Sequence, residues 1–251
     1  VEEKMFSHRI GLLVPSSNTT METELPIILH RVSRRTGHSF TLHSSRMRMT
    51  TVTSEELAAT DDEVERAAFE LSDAEVDVIA YAFLIAIMSQ GPGVHRGIER
   101  RLAEVAEYHQ AGGVVSSAGA LIAGLHHLGA KKTAIVTPYP KPLTAKVAGY
   151  IEAEGIEVQD AISLEVDDNL AVGKLDPAGL KGVAMSLDIR DVDVVVLSAC
   201  VQMPSLHVIP EVQAALGVPV ITAATATAWQ MLERLGRPAV AADTGALFLA
   251  P

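Results

Sequence analysis

Val192-Asp193-Val194-Val195-Val196-Leu197-Ser198-Ala199-Cys200 is an apolar run that ends on the single cysteine of the chain. A run without alternation of apolar and polar residues reads as a strand buried on both faces, as in a parallel sheet covered by helices. Ligands of such sheets bind in the crevice beyond the carboxyl ends of the strands, so the thiol stands at a chemically suggestive address. The plain alternative is a core residue, because free cysteine is among the most buried residue types. The same phrase occurs earlier as Val76-Asp77-Val78-Ile79-Ala80-Tyr81, and Arg9-Ile10-Gly11-Leu12-Leu13-Val14-Pro15 is answered by Lys132-Thr133-Ala134-Ile135-Val136-Thr137-Pro138. Each pair is a first strand ending at proline and a third strand opening with Val-Asp-Val. The alternative is chance similarity among valine-rich strands. The repeat implies two similar α/β halves facing one another, with the functional cleft between them.

Working outward, short apolar runs alternate with amphipathic stretches along the whole chain, the pattern of repeated βα units. Strands are expected at 9–15, 40–47, 76–83, 113–117, 133–138, 157–164, 192–199 and 219–222. Helices are expected at 21–34, 55–71, 94–108, 120–128, 142–154, 177–187, 206–216 and 224–235. Thr19-x-x-Glu22, Thr53-x-x-Glu56 and Thr60-x-x-Glu63 have the spacing of capping boxes, and Gly129, Gly155 and Gly217 stand where helices should close. The first domain is expected over residues 1–112 completed by the C-terminal helix and tail at 223–251, and the second over 113–222.

Composition narrows the partners. The chain has 251 residues, 48% of them hydrophobic and 4% aromatic, enough for an aliphatic core in one large or two small domains. A formal net charge of -11 opposes nucleic acid and anionic membrane, which need a basic footprint, and favours a small ligand. No stretch has the length of a membrane span and Val1-Glu2-Glu3-Lys4-Met5 has no signal-peptide character, so a soluble, cytoplasmic protein is expected. One cysteine excludes an intrachain disulfide and a cysteine-rich zinc site, and the histidines are scattered, so no metal is expected.

If the halves face each other, their strand-to-helix turns converge. Pro15-Ser16-Ser17-Asn18-Thr19-Thr20, Ala82-Phe83-Leu84, Ser116-Ser117-Ala118-Gly119, Thr137-Pro138-Tyr139 and Ser198-Ala199-Cys200-Val201-Gln202 are rich in hydroxyl and amide groups and poor in charge. Free amides and the positive end of a helix dipole bind carboxylates, so an acidic protein can hold an anion with neutral donors. For Ser17, Asn18 and Thr19 helix capping is the bland reading, and the two roles can coexist. Tyr139, between two prolines, is a phenol held in place that can donate a hydrogen bond. Asn169 reads equally well as a turn residue.

The blocks Pro15–Glu24 (PSSNTTMETE), His43–Met49 (HSSRMRM), Ser116–Ala120, Thr137–Tyr139, Asp168–Gly173 (DNLAVG) and Ser198–Leu206 (SACVQMPSL) together resemble the maleate cis-trans isomerases of the aspartate/glutamate racemase superfamily, in order and over essentially the whole chain. The resemblance implies two Rossmann-like domains with parallel sheets related by a pseudo-two-fold axis, a cofactor-independent site in the cleft, a small dicarboxylate substrate and a homodimer. It implies that Cys200 is the second of two catalytic cysteines. It also implies that Asn18, Tyr139 and Asn169 bind substrate carboxylates, with backbone donors around Leu84, Val201 and Gln202; Ser17 and Ser117, in the converging turns, are expected to contact substrate beside them. The family's first cysteine, the nucleophile, follows a Tyr-Ala pair. Here Tyr81-Ala82 is followed by Phe83, which is neither nucleophile nor proton carrier.

Three readings follow. Cys200 alone can carry cis-trans isomerisation of a maleate-like diacid. The chain can instead resemble the arylmalonate decarboxylase branch, in which a single cysteine protonates an enediolate beside an apolar wall, here Phe83-Leu84-Ile85-Ala86-Ile87-Met88. Or the chemistry is lost and a diacid-binding protein remains.

Overall fold

Among the described residues the apolar runs become eight parallel strands in two sheets of the same construction. The computed structural model describes residues 7–49, 54–105 and 112–249. In chain order the first half holds β1 (Ser7–Pro15), α1 (Met21–Thr36), β2 (Ser39–Met47), α2 (Ser54–Asp73), β3 (Val78–Tyr81), α3 (Leu84–Met88), α4 (Val94–Val105), β4 (Val114–Ser116) and α5 (Ser117–His127). The second holds β5 (Lys132–Thr137), α6 (Lys141–Ala153), β6 (Glu157–Ser163), α7 (Asn169–Val172), α8 (Pro177–Ala184), β7 (Val194–Ser198), α9 (Ile209–Leu216), β8 (Val220–Thr222) and α10 (Ala223–Arg234). Strand order is β2-β1-β3-β4 in one sheet and β6-β5-β7-β8 in the other, every pairing parallel. The inner strands β3 and β7 are buried along their whole length, as their unbroken apolar runs require, while the edge strands β2 and β6 are partly exposed.

The two Val-Asp-Val phrases do the same structural work. The Asp77 carboxylate accepts the N–H of Arg9 at 2.7 Å, and that of Asp193 accepts the N–H groups of Lys131 and Lys132, both at 2.9 Å. Each aspartate thus ties the start of the third strand of its half to the start of the first. The repeat continues to the strand ends, where Ala82 N–H donates to Leu13 O and Ala199 N–H donates to Val136 O, both at 2.9 Å.

Several local expectations change. β4 hydrogen-bonds to β3, so the first sheet extends past residue 113, where the domain boundary was expected. Three residues are too short a run to declare their sheet from sequence. α10 follows the last strand of the second sheet and packs on α5, α1 and β3. The Thr19–Glu22 capping box does not form. Asn18 Oδ1 accepts the Met21 N–H at 3.1 Å instead, and Glu22 pairs with Arg46. Thr60 lies inside α2 and not at a helix start, while the Thr53 cap and the expected helix end at 106–108 lie outside the described residues. The helix expected from residue 206 opens as a 3-10 turn, Leu206–Val208, because Pro210 supplies no N–H and suits only a first α turn. Gly129, Gly155 and Gly217 close their helices with φ of 70°, 82° and 70°, left-handed values that glycine adopts without steric cost.

The halves are joined on the flank by α4 and α6. The buried Tyr150 hydroxyl bonds His95 Nδ1 and accepts the His95 N–H at 3.3 Å, and beside it Arg96 grips Glu154 through two bonds of 2.8 and 2.7 Å. Burial lowers the His95 pKa, which keeps the ring neutral. The exposed Arg96 pair contributes little on its own, whereas Tyr150→Phe leaves a buried imidazole without its partner and is expected to cost about 1–2 kcal/mol in urea unfolding.

Candidate active site

Cys200 lies two residues beyond the end of β7 and is 3% exposed. Its carbonyl is pinned by Ser198 Oγ, which donates to it at 2.7 Å, and its sulfur accepts the Gln202 N–H at 3.3 Å. Tyr139, in the turn after β5, places its buried hydroxyl beside the same sulfur. Burial pushes the thiol above its usual 9.0; the phenol and the backbone N–H groups of Gln202 and Met203 oppose that shift without cancelling it. Tyr139 is raised well above its ordinary value by burial and then by the sulfur beside it, so it stays a donor.

Phe83 holds the matching station in the other half. It follows Ala82 as Cys200 follows Ala199, and these two alanines bond the equivalent carbonyls of β1 and β5. The side chain is buried, its ring set edge-on to that of Tyr81 at 6.4 Å between centroids. The expected apolar wall behind it is a helical turn, α3, in which all five residues are buried.

The first half closes over Cys200 through the turn after β1. Asn18 Nδ2 donates to Val201 O at 3.4 Å, and Thr20 Oγ1 donates to Gln202 O at 2.7 Å. From α7, Asn169 Nδ2 donates to Ser17 Oγ at 2.7 Å. One small region therefore gathers a thiol, a phenol, the carboxamides of Asn18, Asn169 and Gln202, the hydroxyls of Ser17, Thr20 and Ser198, and backbone amides, while Arg46 reaches its edge by donating to Asn18 O at 2.6 Å. This set can bind a carboxylate and hand one proton to or from sulfur. Among the described residues no group of three or more His, Cys, Asp or Glu could hold a metal, and no helix is long and apolar enough to cross a membrane.

Comparison with known proteins places the chain in a family. The sequence model of the arylmalonate decarboxylase family matches residues 10–248. A maleate isomerase of Geobacillus stearothermophilus is 55% identical over 241 residues, covering 95% of this chain and 96% of that protein. The chain belongs to the maleate isomerase family. Two solved members have the same fold. The maleate isomerase from Pseudomonas putida S16, crystallised with maleate as a cysteine-to-alanine variant, has a TM-score of 0.94 at 51% identity, covering 96% of this chain and 97% of that one. A cysteine-to-serine mutant of the Nocardia farcinica maleate cis-trans isomerase, with a covalently bound succinylcysteine intermediate, has a TM-score of 0.92 at 45% identity, covering 96% and 98%.

Within the maleate isomerase framework, Cys200, Ser17, Asn18, Asn169, Val201 and Gln202 form one bonded cluster, with the Tyr139 hydroxyl beside the sulfur. Leu84 opens α3 next to Phe83, and Ser117 opens α5 with a buried hydroxyl that has no hydrogen-bond partner among the described residues. Sequence reasoning gave no role to Glu24. This buried carboxylate on α1 accepts the N–H groups of Ser205 and Leu206 at 2.6 and 2.8 Å, and so fastens the segment after Cys200 to the first half. Burial raises its pKa, against the pull of those two amides. A charged residue inside the helical block Met21–Thr36 carried no sign that it faced inward. A surface cavity between α9 and the segment Asp243–Leu249 contains none of these residues.

Because only the thiolate is nucleophilic and burial disfavours it, alkylation of Cys200 by iodoacetamide should be slow at neutral pH. Its rate should go on rising above pH 9.0. A rate that levels off below that pH would contradict this placement of the sulfur.

Proposed function

We propose that this protein converts a small cis-dicarboxylate of the maleate type to its trans isomer, with Cys200 as the reacting group. The observation that carries this reading is the sulfur's setting: one buried thiol at a strand end, met by a phenol and an amide, beside two carboxamides on facing loops. The 55% identity to a named maleate isomerase supports it. Asn18, Tyr139 and Asn169, with the backbone N–H groups of Leu84, Val201 and Gln202 and the hydroxyls of Ser17 and Ser117, hold the two carboxylates. Such donors are already aimed when charge develops, which is where enzymes gain most.

The raised thiol pKa shapes the step. As sulfur adds to one alkene carbon, the thiol proton passes to the carboxylate on the other. The π pair moves into that carboxyl group as an enediolate, and the former double bond becomes a single bond about which the diacid turns. When the pair returns, the carbon–sulfur bond breaks, the proton goes back to sulfur and the trans diacid leaves. No cofactor enters the balance. Phe83 stands at the position of the family's first cysteine, and its ring restricts the space for rotation, so turnover is slow. The protein is a homodimer in keeping with the family resemblance, and a lone thiol without a disulfide partner suits the reducing cytoplasm. Incubation with maleate, followed by proton NMR, is expected to yield fumarate.

One observation favours a second reading. A thiol kept protonated is a ready acid, and the buried α3 supplies the apolar wall that a decarboxylase would use against one carboxylate of a malonate. There the carbon–carbon bond breaks, carbon dioxide leaves, and Cys200 gives its proton to the carbanionic carbon. Carbon dioxide release from phenylmalonate without fumarate from maleate would decide for it. Saturable diacid binding with neither product would leave a binding protein.

A further inference from the structure

Gln202 is buried, and its carboxamide uses its full hydrogen-bonding capacity. Oε1 accepts the N–H groups of Thr19 at 3.0 Å and Thr20 at 3.4 Å. Nε2 donates to Ser17 O at 2.9 Å and to Asn169 O at 3.1 Å. The main chain of the same residue donates to the Cys200 sulfur and accepts from Thr20 Oγ1. A single side chain thus binds the two segments that carry Ser17, Asn18 and Asn169, and its own backbone touches the reacting atom.

Gly173 bears independently on this arrangement. A Cβ at Gly173 would lie 2.5 Å from Gln202 Nε2 and 3.3 Å from Thr19 Oγ1. Its φ of -66° is open to any residue, so the carboxamide, not the backbone, requires glycine there.

We propose that the Gln202 side chain is a latch, a positioning residue that holds the Asn18 turn and the Asn169 helix closed over Cys200. A thiol that is 3% exposed can meet a diacid only if its cover lifts, and these four bonds are what the cover must break. The carboxamide touches neither sulfur nor substrate. It acts through the groups it aligns. This inference rests on the reading of Cys200 as the reacting thiol.

Two variants test it, Gln202→Leu, which removes all four bonds, and Gly173→Ala, which displaces the carboxamide while leaving it present. In both, after urea unfolding has shown a native transition, alkylation of Cys200 by iodoacetamide at fixed pH is expected to be at least about tenfold faster than in the unchanged protein, as loss of several buried hydrogen bonds favours local opening. The KM for maleate is expected to rise about tenfold with kcat altered less than about threefold, since the latch orders the binding loops and not the reacting atoms. Should Gln202→Leu not fold, Gly173→Ala decides alone. Alkylation within about twofold of the unchanged protein in the folded variants overturns the latch. If the unchanged protein makes no fumarate, the proposed reaction falls, and the alkylation rates still decide the latch.

Discussion

Cys200→Ser is expected to lower maleate-to-fumarate conversion by at least about 10³-fold while leaving the protein folded, because an alcohol is a far poorer nucleophile than a thiol at neutral pH. The serine hydroxyl is smaller than the thiol but inherits its two neighbours, the Tyr139 phenol and the Gln202 N–H, so no buried polar group loses a partner. The urea midpoint should therefore stay near that of the unchanged protein. Conversion is followed by the fumarate proton resonance. A folded serine variant that converts maleate at the original rate would remove Cys200 from the chemistry, whatever its relatives do. Because the protein has one cysteine, no second thiol can stand in and blur the result.

The converse substitution, Phe83→Cys, is expected to raise the isomerase rate by about 10²-fold, the order a positioned nucleophile or acid-base partner contributes. Phe83 and Cys200 follow alanines that bond equivalent carbonyls of the two sheets, so a thiol at 83 takes the main-chain station that Cys200 takes in the other half. The exchange also opens space, since a benzyl group buried against Tyr81 gives way to a smaller side chain. That space has a cost. Loss of the ring and its edge-on contact should destabilise the fold by about 3 kcal/mol, read as a lower urea midpoint. Activity and stability are thus expected to move in opposite directions. If the variant folds and forms fumarate no faster, the site differs from the two-thiol arrangement by more than this one residue.

The two results are linked. Where Cys200→Ser is inactive and Phe83→Cys is faster, the reaction is an addition and elimination at sulfur. Where Cys200→Ser abolishes carbon dioxide release from phenylmalonate and Phe83→Cys gains nothing on maleate, the buried thiol serves as an acid only.

Much of the architecture was legible in the chain because it depends on local periodicity. Unbroken apolar runs announced the central strands, and the paired Val-Asp-Val phrases announced the repeat. The reason for the aspartates emerged only when Asp77 and Asp193 were seen accepting amides from the starts of β1 and β5. Short elements were missed. α3 and α7, of five and four residues, are below the length at which a helical period can be distinguished. The Thr19–Glu22 capping box failed for a tertiary reason, since Gln202 reaches the Thr19 amide and Arg46 draws off Glu22.

By itself the sequence determined the α/β class, the doubling of the fold, the presence of one thiol at a strand end and a phenylalanine at the matching end. Those properties reside in residue type and short-range order. Only the tertiary structure decided that Glu24 faces inward and that Gln202 spans 183 positions to bond Thr19 and 33 to bond Asn169. It likewise decided that burial keeps the thiol protonated. Such properties are set by what folding removes from water and brings within hydrogen-bond reach, and no local pattern in the chain encodes either.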